Sequence, residues 1–284
     1  MSEKEIMKPK KKNPIIVYQG EPGAYSEMAA RNFFGKNVSA IGLKTFEDAF
    51  IALENKTADY AVLPIENSST GAIRQVYDLL EQYDYFFIGE TTVQVNHALL
   101  VLPGTKINDI KTVYSHEQGL FQCESFLNEH PEWKRIPQDD TAGSARVVAQ
   151  KQDKSKAAIC SVLAAEIYGL EVLKEKINTK AANTTRFLIL SPTEEIQVKR
   201  DKFCISFTSN HNPETLTQVL NVFTSNKVIL LRIESRPIPN RNWEYMFFIE
   251  CIGDLLTEEM SCIIPEIKKI APDVRVLGNF QSNL

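Results

Sequence analysis

The chain has 284 residues, a length that corresponds to about two domains. Hydrophobic residues make up 43% of it and charged residues 24%, which excludes a disordered, collagenous or fibrous chain. The formal net charge is −4, so neither nucleic acid nor an anionic membrane is expected as a partner. Five cysteines without a CxxC pair and four histidines without an HxxxH spacing indicate neither a disulfide framework nor a metal site. No apolar run reaches the roughly 18 residues of a membrane span, and no secretory apolar region follows the basic N-terminus, so we expect a cytoplasmic protein.

The N-terminal arm, residues 1–13, is polar and contains three consecutive lysines, which is typical of a solvated flexible segment. Residues 14–82 then alternate between β-branched or aromatic runs and segments with helical apolar spacing. Thr45 and Asp48 form a capping-box pattern at the start of one helix. The predicted elements are strand 15–18, helix 26–34, a helix after Thr45, strand 60–65 and a helix that contains residues 73–80.

A second run of alternating elements follows from residue 85. The predicted elements are strands 85–92, 98–102 and 112–114, helix 120–129, a short strand near 135–137, helix 142–152, strand 157–160, helix 162–168 and strand 186–190. Both runs have the alternation of an α/β layer structure, and segment 85–102 is predicted to cross between them. Two α/β lobes joined in this way leave a cleft, where small ligands usually bind.

The composition changes at residues 191–195, a short polar linker. The elements predicted beyond it are strand 203–208, helix 213–225, strands 228–238 and 242–252, helix 257–270 and strand 274–280. Their order, β-α-β-β-α-β, is that of a ferredoxin-like unit, and fewer than ninety residues suffice for one small domain.

Four junctions before predicted helices are rich in glycine and hydroxyl residues: 20–26, 66–71, 115–119 and 140–144. Free N–H groups at a helix start favour anions, so four junctions on one cleft would suit a ligand with several carboxylates or phosphates. Ordinary N-capping is the simpler interpretation of any single junction. No dinucleotide fingerprint or Walker sequence occurs, so a phosphate-bearing cofactor is not indicated.

Residues 183–187, Asn-Thr-Thr-Arg-Phe, place two hydroxyls and a guanidinium directly before a predicted strand. Loop ends in this position usually face a cleft, and Arg186 could bind a carboxylate there with two parallel hydrogen bonds. A surface arginine at a capped strand entry explains the same pattern equally well.

Several short blocks follow one another in a recognisable order between residues 15 and 280. They are G-E-P-G-A-Y-S at 20–26, P-I-E-N-S at 64–68, G-A-I at 71–73, Y-S-H at 114–116, Gln118, Gln122 with Cys123, D-T-A at 140–142, A-A-E-I-Y-G-L at 164–170, N-x-T-R-F at 183–187 and I-E-S-R-P at 233–237. In these blocks the chain resembles the prephenate dehydratases that carry a C-terminal ACT regulatory domain.

This resemblance implies an α/β fold in two domains. Residues 14–192 would form a bilobal, periplasmic-binding-protein-like dehydratase domain with a cleft between its lobes. Residues 200–284 would form a ferredoxin-like βαββαβ ACT domain. The implied activity is that of a carbon–oxygen lyase that converts prephenate to phenylpyruvate, carbon dioxide and water in phenylalanine biosynthesis. Aromatisation of the ring supplies the driving force, so no metal or other cofactor is expected.

The resemblance also assigns catalytic positions, of which Thr185 is the one most closely tied to the chemistry. An aliphatic hydroxyl is a poor acid at neutral pH, so we interpret Thr185 as a positioned donor or relay at the leaving hydroxyl. Asn67, Ser115 and Gln122 would orient the substrate through hydrogen bonds.

The implied substrate-binding positions are Arg186, Phe187, Glu66, Ser68, Tyr25, His116, Thr141 and Ala142. Arg186 would bind a substrate carboxylate, or form a structural salt bridge. Phe187 would wall the ring or belong to the core. His116 has the chemistry of a general acid, although a structural role is favoured, and the backbone of Thr141 and Ala142 would donate at a helix start.

The implied effector is phenylalanine, bound by an ACT domain at Leu216, Glu234, Ser235, Arg236 and Pro237. The other half of the family's effector pattern is changed, because Glu214 and Thr215 replace Gly-Ala and Ile229 replaces an asparagine. A glutamate brings bulk and charge where a glycine lets the backbone approach a ligand. We therefore expect weakened or altered control by phenylalanine.

Two other functions fit the same sequence. Arogenate could replace prephenate as the substrate, since the two differ by one amino or keto group. A non-catalytic sensor with two lobes and an ACT domain is the second alternative, which the intact Thr-Arg-Phe block argues against. We expect no chorismate mutase domain, because about fourteen residues precede the first strand, and we expect a homodimer or homotetramer.

Overall fold

The computed structural model describes residues 11–180, 182–195, 197–209, 214–239 and 241–282. Residues 11–72 and 92–187 form one compact unit, and residues 73–91 and 188–282 form a second. Most of the predicted N-terminal arm and the first residue of the predicted helix 213–225 lie outside the described residues.

The helices and strands alternate along most of the chain. The first ten elements are β1 (Ile15–Gln19), α1 (Tyr25–Phe34), β2 (Ser39–Leu43), α2 (Phe46–Glu54), β3 (Tyr60–Asn67), β4 (Gly71–Ala72), α3 (Arg74–Gln82), β5 (Phe86–Gln94), β6 (Ala98–Val101) and β7 (Thr112–His116). The next nine are α4 (Glu117–Gln122), α5 (Glu124–Asn128), β8 (Lys134–Gln138), α6 (Thr141–Lys151), β9 (Lys156–Cys160), α7 (Val162–Tyr168), β10 (Glu171–Lys174), β11 (Thr184–Ser191) and β12 (Lys202–Thr208). The last five are α8 (Glu214–Ser225), β13 (Ile229–Pro237), β14 (Tyr245–Ile252), α9 (Ile263–Ile270) and β15 (Arg275–Phe280).

The first lobe of the first unit is built on strands β2, β1 and β3, which pair in that order, and on the first residues of β11 beside β3. Strand β1 is parallel to β2 on one side and to β3 on the other. The capping box predicted for α2 is present, since Asp48 N donates to Thr45 Oγ1 at 3.1 Å and Thr45 N donates to Asp48 Oδ2 at 2.9 Å. Such reciprocal bonds satisfy two helix-end donors and set where the helix begins.

The second lobe is built on a separate sheet of order β10-β6-β9-β7-β8. Strand β7 is parallel to β8 and β9, whereas β6 is antiparallel to β9 and to β10. Val113, Phe126, Leu127 and Trp133 are among the buried residues of its core. The two lobes confirm the bilobal α/β class.

Predicted helix 120–129 is wrong as one element, because the structure has the two short helices α4 and α5 there. Cys123 separates them at φ −110° and ψ 18°, outside the helical region. Its side chain is fully buried in the core of the second lobe, at the junction of the two helices. Helix 257–270 is also too long as predicted, since the preceding turn, with Thr257 Oγ1 donating to Asp254 O, delays α9 until Ile263.

Three short strands, β2, β4 and β10, were not predicted. Each is an edge strand of its sheet, and its residues are half-buried or exposed rather than alternately buried. An edge strand with one solvated side carries only a weak apolar pattern, so the sequence signal for it is faint.

In the second unit, an antiparallel sheet of order β13-β14-β12-β15 is covered by α8 and α9. Phe203, Phe207, Val219 and Ile267 contribute to its core, and the element order confirms the ferredoxin-like prediction. The predicted division of the chain into domains 14–192 and 200–284 stays a prediction.

A buried ion cluster lies at the start of β12 in this unit. The ammonium of Lys202 is 2.8 Å from carboxylate oxygens of both Glu90 and Glu250, and all three side chains are shielded from water. Burying a charge without partners is strongly unfavourable, so each of these groups depends on the others.

No helix in the described part of the chain has the length and apolarity to cross a membrane. Among the same residues, no three His, Cys, Asp or Glu side chains are grouped so that they could hold a metal ion.

The lobes of the first unit contact each other closely at Gly23. The hydroxyl of Ser161 donates to the carbonyl oxygen of Gly23 at 2.5 Å. A Cβ at Gly23 would lie 2.7 Å from the Cα of Ala164, and the φ of Gly23 is +91°. Glycine is therefore required here both by the backbone conformation and by the close approach of the second lobe.

We expect Gly23→Ala to lower the free energy of unfolding more than Gly35→Ala does. Gly35 also has a positive φ, +100°, but no atom lies within 4 Å of its built Cβ. Backbone strain alone costs about 1–3 kcal/mol, and the clash at Gly23 adds about 1–3 kcal/mol. Urea unfolding of both variants measures the difference, and equal losses would show that Ala164 moves away without cost.

Candidate active site

The four glycine- and hydroxyl-rich junctions lie at helix or strand ends of the first unit, and local side chains cap their N–H groups. Gly23 N donates to Glu27 Oε2 at 2.7 Å, and Gly143 N donates to Asp140 Oδ1 at 2.8 Å. Gln118 N donates to His116 Nδ1 at 3.2 Å. These bonds satisfy N–H groups that an anion would otherwise need, so N-capping is the interpretation that the structure supports.

The fourth junction follows β3 and is held by the side chain of Asn67. Its Oδ1 accepts from the N–H groups of Ser69 at 2.9 Å and Thr70 at 3.2 Å. Its Nδ2 donates to Asn183 Oδ1 at 2.7 Å and to Thr185 Oγ1 at 2.9 Å. The amide thus uses both its hydrogens and its oxygen, which leaves one orientation of this group.

The hydroxyl of Thr185 accepts its hydrogen bond from Asn67, so its own hydrogen is directed elsewhere. Asn67, Asn183 and Thr185 are each buried. The structure therefore brings together two of the four predicted catalytic residues, with Thr185 as a buried donor of defined orientation.

Arg186 lies on the opposite face of β11 from Thr185, because side chains alternate along a strand. Its guanidinium Nη2 is 3.4 Å from Glu66 Oε2, and Arg186 itself is buried. The alternative of a structural salt bridge for Arg186 thus has a partner in the structure. Phe187 is 1% exposed and packs as a core residue.

A cavity of about 170 Å³ adjoins this cluster in the first unit. Its lining is mostly polar and uncharged, with one carboxylate and one ammonium. The lining residues are Ser69, Thr70, Gln118, Phe121, Gln122, Glu124, Asn178, Thr179, Lys180 and Asn183. Three of them, Ser69, Thr70 and Asn183, are hydrogen-bonded to Asn67, so the cavity and the Asn67 cluster form one site.

Gln122, the third predicted catalytic residue, lines this cavity and contacts a buried histidine. Gln122 Oε1 is 2.9 Å from His97 Nε2, and His97 Nδ1 is 3.1 Å from the hydroxyl of Tyr25. Burial lowers the pKa of His97 and raises that of the Tyr25 phenol, so both rings are neutral near pH 7. Tyr25 therefore lies behind His97 and does not line this cavity.

Ser115, the fourth predicted catalytic residue, is fully buried, and its hydroxyl donates to the carbonyl oxygen of Ile159 at 2.7 Å. Ser68 binds β11 through its backbone and its hydroxyl, since its N donates to Thr184 O and its Oγ accepts from Thr184 N, both at 2.9 Å. The roles of Ser115 and Ser68 stay predictions.

Thr141 and Ala142 begin α6, beside a second and larger cavity of about 500 Å³. Asp140 is in its wall, and burial raises the pKa of this carboxyl. Arg146 and Glu21, also in the wall, form an ion pair of 3.2 Å. The two predicted positions thus lie beside a group of charged side chains.

The sequence reasoning missed several residues of the site, among them His97, Lys180 and, as an individual residue, Asn183. His97 stands between two apolar strands, and a polar residue in such a short connection is a signal of a buried hydrogen bond. Lys180 stands in a polar segment without periodicity, where no signal singles it out.

The predicted effector residues lie in the second unit. Arg236 is bound by Asp78 of α3 through two hydrogen bonds of 2.6 and 2.9 Å, and Glu234 is 3.5 Å from Arg232. Leu216 packs against the core of this unit, whereas Ser235 and Pro237 are exposed.

Comparison with known proteins identifies the family. The model of the prephenate dehydratase family matches residues 16–195. A bifunctional chorismate mutase/prephenate dehydratase of Enterobacter agglomerans is 35% identical over 94% of this chain and 70% of its own length. Arogenate dehydratase 3 of Arabidopsis thaliana is 38% identical over 96% of this chain and 68% of its own length.

Solved structures agree with these relatives. A prephenate dehydratase of Arthrobacter aurescens in complex with L-phenylalanine has a TM-score of 0.85 at 28% identity, over 94% of this chain and 89% of its own. A protein described as GqqA, a quorum-quenching acylase, has a TM-score of 0.87 at 28% identity, over 95% of this chain and 98% of its own. On the family match and the identity to these relatives, the chain belongs to the prephenate dehydratase family of lyases.

Proposed function

We propose that this protein catalyses the decarboxylative dehydration of prephenate to phenylpyruvate. The observation that carries the proposal is the hydrogen bond from Asn67 Nδ2 to Thr185 Oγ1, which leaves the Thr185 hydrogen free to be donated. Family membership supplies the reaction, and this buried pair beside a cavity supplies a place for it.

The reaction breaks two bonds that join substituents to the substrate ring. The C–C bond to the ring carboxylate breaks, its electron pair moves through the ring, and the C–O bond of the ring hydroxyl breaks at the opposite carbon. Carbon dioxide leaves, the departing hydroxide takes up one proton and leaves as water, and the ring becomes aromatic. Thr185 would donate a hydrogen bond, or relay a proton, to the departing oxygen.

The environment of the cavity suits the loss of a carboxylate. Most of its lining residues carry neutral amides or hydroxyls, and a carboxylate that is less well solvated than in water is released more easily as neutral carbon dioxide. Lys180 at the cavity wall would bind the side-chain carboxylate of the substrate. We keep Arg186 as an alternative carboxylate partner, for which it would have to leave Glu66.

Arogenate is the alternative substrate, and the relatives carry both names. The two substrates differ only in the side chain, where an ammonium replaces a keto group. Glu124 in the cavity wall is the carboxylate that an ammonium would meet. An acylase function would need a base that takes the proton of the nucleophilic hydroxyl, whereas the hydrogen-bond partner of Thr185 is the neutral amide of Asn67.

We further propose that the second unit is an ACT domain that binds phenylalanine weakly, and that the chain divides into domains 14–192 and 200–284 in the cytoplasm. The complex of the Arthrobacter relative with L-phenylalanine supports an effector of this kind. Glu214, at the start of α8, is exposed and would place a negative charge near the ligand carboxylate. Thr215 is buried and donates to Ser209 O at 3.3 Å.

The second unit also offers a surface for a homodimer. Strand β13 is at the edge of its sheet, and Ile229, Leu231 and Ile233 are exposed on it. A long apolar edge strand readily pairs with another chain, so we propose a second copy of this protein as the partner.

We expect the wild-type protein to convert prephenate to phenylpyruvate, and Thr185→Val to lower kcat about 10²–10³-fold because the donated hydrogen bond is lost. Turnover of prephenate and of arogenate is followed with identification of the products. Thr184→Val is the control, since this neighbouring hydroxyl points to the other face of β11. Near-wild-type kcat in Thr185→Val, or absence of phenylpyruvate with the wild type, contradicts the proposal.

We expect phenylalanine to bind the wild type weakly and to bind Glu214→Gln up to about fivefold more tightly, because repulsion of its carboxylate at an exposed site costs about 1 kcal/mol or less. Isothermal titration calorimetry measures both. Glu258→Gln removes an exposed charge elsewhere in the same unit and serves as the control. Tight, stoichiometric binding by the wild type would show that the substituted positions do not weaken the site.

Leu231→Lys combined with Ile233→Lys is expected to convert a dimer to a monomer, because charges on an exposed strand edge oppose pairing. Light scattering at several concentrations gives the mass. Ile41→Lys places the same charge on an exposed residue of the edge strand β2 and should leave the mass unchanged. A wild type that is monomeric at all concentrations rules out the dimer.

A further inference from the structure

His97 is enclosed between the candidate site and the body of the first unit, although the proposed chemistry does not use it. Its side chain is 2% exposed. Both ring nitrogens have a neighbour, since the Tyr25 hydroxyl is 3.1 Å from Nδ1 and Gln122 Oε1 is 2.9 Å from Nε2. The ring of Tyr25 stands edge-on to the imidazole at 76°.

The contacts among Tyr25, His97 and Gln122 allow one assignment of hydrogen-bond donors and acceptors. Gln122 presents its oxygen to His97, so Nε2 carries the hydrogen and Nδ1 accepts from the phenol of Tyr25. Burial lowers the pKa of His97, which keeps the imidazole neutral and allows this single tautomer. The NH₂ group of Gln122 therefore points away from His97.

The backbone of residues 177–179 holds His97 and Gln122 at a fixed separation. Ile177 N donates to His97 O at 3.0 Å, and Thr179 N donates to Gln122 O at 2.7 Å. Between them, Asn178 Oδ1 accepts from His97 N at 2.7 Å. Both residues are thus hydrogen-bonded to one short segment, which fixes the position of His97 relative to Gln122.

We propose that His97 is a positioning residue that orients the side-chain amide of Gln122, so that its NH₂ group faces the substrate in the cavity. This inference rests on the proposed function, because it gives Gln122 a donor role toward prephenate. Tyr25 acts one step further back, as it fixes the tautomer of His97. Without the bond from Nε2–H, the amide of Gln122 can rotate and present its oxygen to the substrate.

The experiment compares two amide substitutions at His97. His97→Gln places an amide nitrogen near the position of Nε2 and keeps a donor for Gln122, whereas the shorter side chain in His97→Asn cannot reach it. We expect kcat/KM for prephenate to fall about 10²-fold in His97→Asn. In His97→Gln we expect kcat/KM to be roughly tenfold higher than in His97→Asn. Equal losses in the two variants, in step with their melting temperatures, would show a structural role only.

A double-mutant cycle separates action through Gln122 from independent action. In the Gln122→Leu background, His97→Asn is expected to cause no further loss, because the group that it positions is gone. Losses that multiply would overturn the proposal. If the wild type does not convert prephenate at all, the proposed function is wrong. The last measurement does not depend on turnover, so it tests the role of His97 separately.

That measurement is the tautomer of His97 in the wild type, read from the ¹⁵N chemical shifts of its imidazole. We expect the Nε2–H form, neutral at pH 7, and a change in the Nε2 shift in Gln122→Leu. An Nδ1–H tautomer, or shifts indifferent to Gln122→Leu, would overturn the inference even if the His97 variants did not fold.

Discussion

The arrangement of the candidate site depends on the side-chain amide of Asn67. This single group binds the turn after β3 through its oxygen and binds Asn183 and Thr185 of the neighbouring segment through its nitrogen. Because both its hydrogens are donated, Thr185 can only accept from it, and the direction of the Thr185 hydrogen follows. A buried amide with every bond satisfied is costly to rotate, so the donor at Thr185 is set before a substrate arrives.

On the other side of the cavity, neutral polar side chains likewise orient one another through hydrogen bonds. His97 is neutral because of burial, and it meets Gln122 at 2.9 Å. Two charged side chains, Glu124 and Lys180, line the cavity itself, whereas Arg186 and Glu66 pair with each other on the opposite face of β11 from Thr185. A reaction driven by aromatisation needs no strong acid or metal, so oriented hydroxyls and amides can supply the required hydrogen bonds.

Much of the fold could be predicted from periodicity, because long buried strands such as β3 and β11 and amphipathic helices such as α8 carry strong signals. The edge strands β2 and β10 and the break at Cys123 could not, since tertiary packing rather than local pattern decides them. In the candidate site, the Thr-Arg-Phe block led to the role proposed for Thr185, but strand alternation places Thr185 and Arg186 on opposite faces of β11. His97 was missed because its partners, Tyr25 and Gln122, are distant in sequence and only the fold brings them together.

Arg236 belongs to the motif that is proposed to bind the effector, and it already has a partner within the chain. Its guanidinium binds both carboxylate oxygens of Asp78, and this contact raises the pKa of Arg236. Asp78 is 40% exposed, and an ion pair with such access to water contributes about 1 kcal/mol or less. A ligand carboxylate that binds Arg236 therefore has to displace only a weak competitor, but it leaves Asp78 and α3 without that contact. In the proposed effector binding, the ligand and Asp78 of α3 would compete for one guanidinium, and we propose this competition as the way in which the unit responds to the ligand.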